Sequence, residues 1–290
     1  MTAARTYDLS RRKLIALGLG AYGALAMRAT GAQQPSSYTF VVLGTDYRSP
    51  EEAELTDVMM VSRVNLEAGT VRTMSFPRDL WVDIPGVGFG KINGAFNHAI
   101  KADPEQRWQV GAAASVATIE HNFGLQIDGT AMTDVKVFPH VVDAIGGVVV
   151  NNPYALTTIW GTTYPAGEVF LDGENAHYFT RDRMSDGDDG RVMRQHLVLQ
   201  GILEKLQEPA ILLRIPQLIA TLSGDVVRTD IPASVQARLI PMLPTLSNED
   251  LAFINLTEQL FADYSADGQW IYNGDWSVLP GYVQSWLDGA

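Results

Sequence analysis

From residue 38 onward, the hydrophobic and polar positions of the chain alternate between strand-like and helix-like patterns. The β-branched and aromatic run at 38–43 predicts a buried strand that ends at Gly44. The runs at 58–65 and 70–76 are separated by a short turn and predict a hairpin. Further strands are predicted at 80–84, 127–134, 148–150 and 251–256, loops at 86–90 and 151–172, and helices at 92–101, 106–123, 135–145, 173–183, 191–207 and 278–288.

This order of elements predicts the fold class. Strands that alternate with helices favour an α/β domain in which helices cover both faces of one sheet. The early hairpin adds antiparallel pairs, so the sheet should be mixed. We therefore expect a three-layer α/β/α sandwich with a mixed central sheet, formed as a single domain by residues 33–290.

The first 32 residues have the pattern of a targeting segment. Arg5, Arg11, Arg12 and Lys13 precede an apolar run at 14–27. A run of this length is short for a spanning helix of about 20 residues and typical of a signal peptide. The pattern predicts a twin-arginine-like export signal or a membrane anchor, with an amphipathic or buried first helix as the remaining alternative. An export signal or an anchor would place the folded part outside the cytoplasm, at the cell envelope.

Composition narrows the possible functions. The chain has 290 residues, a formal charge of −12 and no Cys. The lack of Cys excludes disulfides, thiolate zinc sites and thiol nucleophiles. The acidic balance argues against nucleic acid as a partner, because that binding depends on clustered Lys and Arg. An anion bound by this chain must therefore meet a local basic cluster.

Two aspartates lie at the ends of the loop between the first two predicted strands. Asp46 comes directly after the first strand, and Asp57 opens the next. Loops at strand ends are where α/β folds place their sites. Two convergent carboxylates, with water and phosphate oxygens, would suit Mg²⁺ or Mn²⁺. The alternative is a turn aspartate and a strand-capping aspartate without a metal.

Arginines are concentrated in two places. Pro77 ends a predicted strand and presents Arg78 beside Asp79. A denser group combines four arginines with Gln195, and arginine matches phosphate with a planar, permanently charged fork. The alternative is a solvated helix start with Arg–Asp salt bridges. The arginines of the denser group are Arg181, Arg183, Arg191 and Arg194.

Several segments, taken together and in order, closely resemble the LytR–CpsA–Psr family of cell-envelope phosphotransferases. The resemblance covers about residues 38–208, and the stretch 209–290 matches only loosely. The segments are VVLGTDYR, LTDVMMVSRVN, VRTMSFPRDLWVDIPG, KINGAF, VVDAIGGVVV, LDGENAHYFTRDR and DGRVMRQ.

The resemblance implies a fold, a reaction and a set of roles. It implies an α/β/α fold and transfer of a glycopolymer from an undecaprenyl-diphosphate carrier to a sugar hydroxyl of peptidoglycan, at the outer face of the cytoplasmic membrane. By position, Asp46 and Asp57 correspond to metal ligands, and Arg48 and Asp79 to assisting or orienting residues, with Asp46 or Asp79 as possible general bases. The catalytic and pyrophosphate-binding set would be Arg78, Arg181, Arg183, Arg191 and Gln195.

Some alternatives stay open at this point. The same arginines would also suit a protein that binds a polyprenyl phosphate without transfer, or a pyrophosphatase that uses water as acceptor. The polyprenyl tail needs an apolar space, and the Ala- and Val-rich helices at 110–123 and 135–145 are candidates for its walls. A plain packed core is the alternative for either helix.

Overall fold

The computed structural model describes residues 35–46, 54–215, 217–218 and 227–290. Within them, fourteen strands and eight α-helices are numbered here in chain order. The strands are β1 (Ser37–Thr45), β2 (Thr56–Asn65), β3 (Thr70–Ser75), β4 (Trp81–Ile84), β5 (Gly88–Lys91), β6 (Gly129–Asp134), β7 (Val148–Asn152), β8 (Leu156–Thr157), β9 (Thr163–Tyr164), β10 (Gly167–Leu171), β11 (Val227–Thr229), β12 (Leu251–Asn255), β13 (Phe261–Tyr264) and β14 (Trp270–Asn273). The helices are α1 (Gly94–Ala102), α2 (Arg107–Phe123), α3 (Phe138–Ala144), α4 (Gly173–Arg181), α5 (Gly187–Leu206), α6 (Pro209–Leu212), α7 (Ala233–Leu239) and α8 (Leu279–Asp288).

A six-stranded sheet forms the centre, in the order β11–β6–β1–β2–β3–β12. The strands β1, β2 and β3 form an antiparallel meander, while β6 pairs with β1 and β12 pairs with β3 in parallel. The predicted mixed sheet is therefore confirmed. Side chains of β1 are buried on both faces, as expected for a central strand that helices cover on both sides.

The buried apolar side chains of the described residues form two cores. Val41 and Val61 pack with Phe96, Phe123 and Val283 into one core, beneath α1, α2 and α8. On the other side, a second core joins α3, α4 and α5 to the antiparallel pair of β7 and β10. The two cores give the predicted three layers, and the site described below lies between the sheet and the second helical layer.

The last 80 residues complete the sheet. Both edge strands, β11 and β12, come from this part of the chain. The terminal helix α8 buries Leu279, Val283 and Leu287 in the first core. The segment that the sequence pattern matched only loosely is thus an integral part of the fold.

Several local predictions were wrong. The predicted loop at 86–90 contains β5, and the predicted loop at 151–172 contains β8, β9 and β10. These strands have two to five residues, too few to show a period against their Gly- and Asn-rich surroundings. The helix predicted at 191–207 begins four residues earlier, at Gly187, because Asp188 and Asp189 provide an acidic first turn.

Among the described residues, no helix is both long enough and apolar enough to cross a membrane. The predicted export signal or anchor at 1–32 lies outside the described residues.

Candidate active site

The two candidate metal ligands stand where β1 ends and β2 begins. The β1–β2 register shifts between Gly44 and Thr45, and the Asp46 amide donates to the Leu55 carbonyl over 3.3 Å. Asp46 is 7% exposed, and its Oδ2 lies 3.6 Å from Nη2 of Arg181. The register therefore brings Asp46 and Asp57 to adjacent strand ends.

The close approach of β1 and β2 explains why a glycine, Gly44, stands at the register shift. A Cβ on Gly44 would lie 2.9 Å from Cβ of Val58 on the neighbouring strand. Such a contact is too short for a side chain, so the strand needs glycine at this position.

Arg78 lies between two carboxylates. Its Nη1 donates to Asp57 Oδ1 over 2.9 Å, and its Nε lies 3.3 Å from Asp79 Oδ2. Asp79 also accepts from Lys91 Nζ over 2.7 Å. Burial alone would lower the pKa of Arg78, but the hydrogen bond to Asp57 and the neighbouring carboxylates raise it above its ordinary value. Asp57 and Asp79 therefore hold the Arg78 guanidinium charged and in place.

The remaining arginines come from the junction of α4 and α5. Arg191 is 5% exposed and contacts Asp188 Oδ1 over 2.8 Å, while its Nη1 lies 3.4 Å from the Asp57 carbonyl oxygen. Burial and repulsion from Arg78 and Arg191 lower the pKa of Arg183. The pKa shift and the contacts together place Arg78, Arg183 and Arg191 in one electrostatic cluster.

A cavity of about 160 Å³ opens beside these arginines. The α5 residues that line it run from Arg191 and Gln195 to Val198 and Ile202, a distance of about 17 Å at 1.5 Å per residue. The strands show the same change from polar to apolar side chains along the cavity. Strand β2 contributes Asp57 and then Val58 and Met60, and β1 contributes Val42 at the apolar part. One end of the cavity is thus polar and cationic, and the other is apolar.

Arg194 has a different place from Arg191. It is fully buried, and its guanidinium donates to the Phe179 carbonyl over 2.7 Å and to Asp186 Oδ2 over 2.5 Å. It also donates to the Asp182 carbonyl. Arg194 therefore fixes the connection between α4 and α5, while Arg191 lines the cavity.

The structure adds residues that sequence reasoning did not single out. Asp188 pairs with Arg191, and the signal for it was their i, i+3 spacing on a helix. His177 lines the cavity, and burial together with Arg181 lowers its pKa, so the ring is neutral near pH 7. Arg48, which the sequence linked to the same site, lies outside the described residues.

One of the two helices proposed as walls of an apolar space was assigned to the wrong place. The helix at 106–123 is α2, which packs against the opposite face of the sheet. The second segment does contribute, through Val135 and Phe138. The main wall is α5, whose apolar stripe of Val198, Leu199 and Ile202 faces the sheet.

The donor chemistry at the strand ends fits Mg²⁺ in one respect. Among the described residues there is no group of three or more His, Cys, Asp or Glu side chains that could hold a metal. Asp46 and Asp57 carry hard carboxylate oxygens at two adjacent strand ends, and Mg²⁺ is usually held by one or two carboxylates plus waters and substrate phosphates. The site thus fits a metal that is completed by a phosphate ligand.

Comparison with known proteins identifies the family. The chain matches the LytR_cpsA_psr family over residues 20–279 and belongs to it. It is 31% identical over 201 residues to the polyisoprenyl-teichoic acid–peptidoglycan teichoic acid transferase TagU of Oceanobacillus iheyensis, covering 69% of this chain and 60% of the relative. It is 34% identical over 170 residues to TagU of Bacillus anthracis, covering 58% of this chain and 52% of the relative. The chain thus spans about half to three fifths of the length of these curated relatives.

Solved structures share the fold. The B. subtilis TagV structure superposes with a TM-score of 0.71 at 20% identity, covering 88% of this chain and 99% of that one. The structure described as TagT bound to LIIa-WTA gives a TM-score of 0.69 at 22% identity, covering 91% and 94%. At these identities the likeness confirms the architecture of three layers around a mixed sheet.

Proposed function

We propose that this chain is a phosphotransferase that moves a glycopolymer from an undecaprenyl-diphosphate carrier to a sugar hydroxyl of peptidoglycan. One observation supports this most directly, namely a single cavity that is cationic at one end and apolar at the other. A polyprenyl diphosphate has the same division into a charged head and an apolar tail. The names of the relatives, polyisoprenyl-teichoic acid–peptidoglycan teichoic acid transferases, point to the same donor and acceptor.

In this proposal the arginines bind the diphosphate. Arg78, Arg183 and Arg191 offer planar forks that can each make two parallel hydrogen bonds to phosphate oxygens. Arg181 and Gln195 border the same end of the cavity. Because the aspartate partners already hold two of these forks, little reorganisation is needed when the donor binds, and preorganised charge is what lowers a barrier most.

The transfer itself is a substitution at phosphorus. The acceptor hydroxyl oxygen forms a bond to the phosphorus that carries the glycan, and the bond from that phosphorus to the bridging oxygen breaks. Polyprenyl monophosphate leaves with the bridging oxygen, and its charge is stabilised by the same arginines. A carboxylate of the cluster accepts the hydroxyl proton, with Asp79 and Asp46 as the candidates.

Asp46 and Asp57 would hold Mg²⁺ or Mn²⁺. When bound, the ion would neutralise phosphate charge at the mouth of the cavity. Asp57 would then have two tasks, because its Oδ1 also orients Arg78. In that case a metal ligand would lie within hydrogen-bonding distance of an arginine.

The proposed location is the cell envelope. The named relatives are polyisoprenyl-teichoic acid–peptidoglycan teichoic acid transferases, and the predicted twin-arginine-like segment or anchor at 1–32 would bring the chain to the envelope. We infer that residues 33–290 then act as one catalytic domain.

The test uses the purified full chain with a polyprenyl-diphosphate-linked saccharide, Mg²⁺ and a soluble peptidoglycan fragment. Mass spectrometry should detect an acceptor that has gained the glycan phosphate, together with free polyprenyl monophosphate. Arg191→Ala should lower the rate by about 10²–10³, as expected for loss of a preorganised donor. Lys101→Ala, an exposed change on α1, serves as the matched control and should leave the rate unchanged.

Two outcomes would contradict the proposal. Release of free glycan phosphate without acceptor modification would indicate a pyrophosphatase. Tight donor binding with no product would indicate a binding protein.

A further inference from the structure

A second cavity lies on the other side of α5. It has a volume of about 560 Å³ and opens between α5 and the edge strand β12. We call it the α5–β12 groove, lined among others by Asp189, His196, Gln200, Phe253, Asn255 and Tyr272. Helix α5 is thus a shared wall, with the arginine-lined cavity on one side and this groove on the other.

The lining combines aromatic rings with neutral hydrogen-bonding groups. Phe253 and Tyr272 provide apolar ring surfaces, while Asn255 and Gln200 provide amides. Asp189 is held in place by Asn255 Nδ2 over 3.0 Å and by Thr257 Oγ1 over 3.1 Å. Sugars present apolar ring faces and many hydroxyls, so they suit a surface of aromatic, amide and carboxylate groups.

The charge of the groove separates it from the first cavity. None of the described residues that line it is Lys or Arg, and Asp189 and Glu258 are acidic. Burial also lowers the pKa of His196 to about 4, so this ring adds no positive charge near neutral pH. A phosphate-rich polymer would be repelled here, whereas a neutral saccharide would not.

Two lining residues of the groove, Asp189 and Tyr272, adjoin the aspartates that contact the candidate catalytic arginines. Asp189 follows Asp188, whose carboxylate contacts Arg191 over 2.8 Å. The Tyr272 amide donates to the Asp79 carbonyl over 3.0 Å, and the Asp79 side chain contacts Arg78. A sugar in the groove would therefore reach the arginine cluster from the side opposite the apolar cavity.

We propose that the α5–β12 groove binds the neutral sugar chain of the acceptor and directs its hydroxyl toward the arginine cluster. This inference rests on the proposed transfer reaction, and it adds which surface receives the acceptor. The donor and the acceptor then approach the reacting phosphorus from two sides of one helix.

The experiment fills the groove without touching the arginine cluster. Gln200 is half-exposed, lines the groove and makes one hydrogen bond within its own helix, to Glu204 over 3.1 Å. Gln200→Trp should raise the KM for a soluble glycan acceptor at least tenfold while leaving donor affinity unchanged. Gln200→Ala, which removes the amide but keeps the groove open, should change that KM less than about threefold. Glu105→Trp, an exposed change before α2 that lines none of these cavities, is the control for an added indole.

A binding measurement separates this proposal from the proposed function. The probe is a neutral tetrasaccharide of β-1,4-linked N-acetylglucosamine, titrated into the full chain and followed by NMR of backbone amides. Shifts confined to α5, β12 and β14 that disappear in Gln200→Trp would support the groove even if no transfer is detected. If transfer occurs but Gln200→Trp leaves the acceptor KM unchanged, the groove proposal is wrong while the transferase proposal stands. If the tetrasaccharide shifts no groove amide in the wild type, the groove proposal is likewise wrong.

Discussion

The buried histidine of α5 gives a prediction that requires no substrate. His196 Nε2 lies 2.6 Å from the Ser75 hydroxyl at the end of β3, and the ring packs on Phe253 with centroids 5.1 Å apart. Burial lowers the pKa of His196 to about 4 from an ordinary value of 6.5. The native state therefore favours the neutral ring, which ties α5 to the strand that leads to Arg78.

The sign of the pH effect follows from proton linkage. Between pH 6.5 and pH 4 the unfolded chain binds a proton at this site and the native chain does not. The contribution to stability is thus fully present above pH 6.5 and is lost as the pH falls toward 4. The whole shift corresponds to about 3 kcal/mol, and about 2 kcal/mol of it is lost between pH 7 and pH 5. That loss is a large part of the roughly 5–15 kcal/mol that stabilises a typical domain.

Urea unfolding at several pH values tests this reasoning. Glutamine at position 196 can still bond Ser75 and does not titrate, so His196→Gln removes the proton linkage together with the ring contact on Phe253. The wild type should be more stable than His196→Gln at pH 7, and the gap should shrink by about 2 kcal/mol at pH 5. Comparing the two proteins cancels the effects of other groups, including His177, whose pKa is also lowered. A gap that stays constant from pH 7 to pH 5 would refute the assigned burial of the neutral ring.

Three further substitutions separate structural from catalytic roles. Arg194→Met should lower the free energy of unfolding in urea by about 3–5 kcal/mol, because it leaves Asp186 and two backbone carbonyls without their buried guanidinium partner. A loss below about 1 kcal/mol would contradict this. Gly201→Ala should lower the stability measured by thermal unfolding by about 1–3 kcal/mol, since the added Cβ would lie 2.7 Å from the Val149 carbonyl oxygen. An unchanged melting temperature would contradict this. Arg191→Lys keeps the charge but loses the fork, so kcat/KM in the transfer assay should fall at least tenfold while the far-ultraviolet spectrum is retained. Wild-type kcat/KM in this lysine variant would exclude a role for the guanidinium geometry.

The sequence predicted the parts of the fold that depend on local patterns. The meander of β1, β2 and β3 shows long β-branched runs, and helix α2 ends at Phe123, directly before Gly124, whose φ of 63° is the left-handed conformation that glycine favours. The gathering of Asp57 and Arg78 at one site was also predictable, because each follows or opens a neighbouring strand. The start of one strand lies beside the end of its antiparallel neighbour, whatever the conformation of the loops that follow.

Other features depend on contacts between distant segments. Arg191 and Arg194 are three residues apart on one helix, and the sequence pattern alone gives both the same chemistry. Only the packing of the 182–186 connection over α5 makes one of them a buried clamp and the other a cavity residue. The edge strand β11 has three residues, so its place beside β6 is set by pairing and not by its own pattern.

The balance of charges in the cluster bears on how an acidic protein would hold the proposed diphosphate. Arg78, Arg181 and Arg191 each contact an aspartate, so the cluster attracts anions less by net charge than by the fixed direction of its N–H groups. For the buried Arg191 this pairing also lowers the cost of burial, because its charge keeps a partner when no ligand is bound. A diphosphate must then compete with these carboxylates, and a metal bound to Asp46 and Asp57 would weaken that competition by engaging the same oxygens. If Asp57 is a metal ligand as proposed, donor affinity and metal binding should be coupled through it, because it also contacts Arg78.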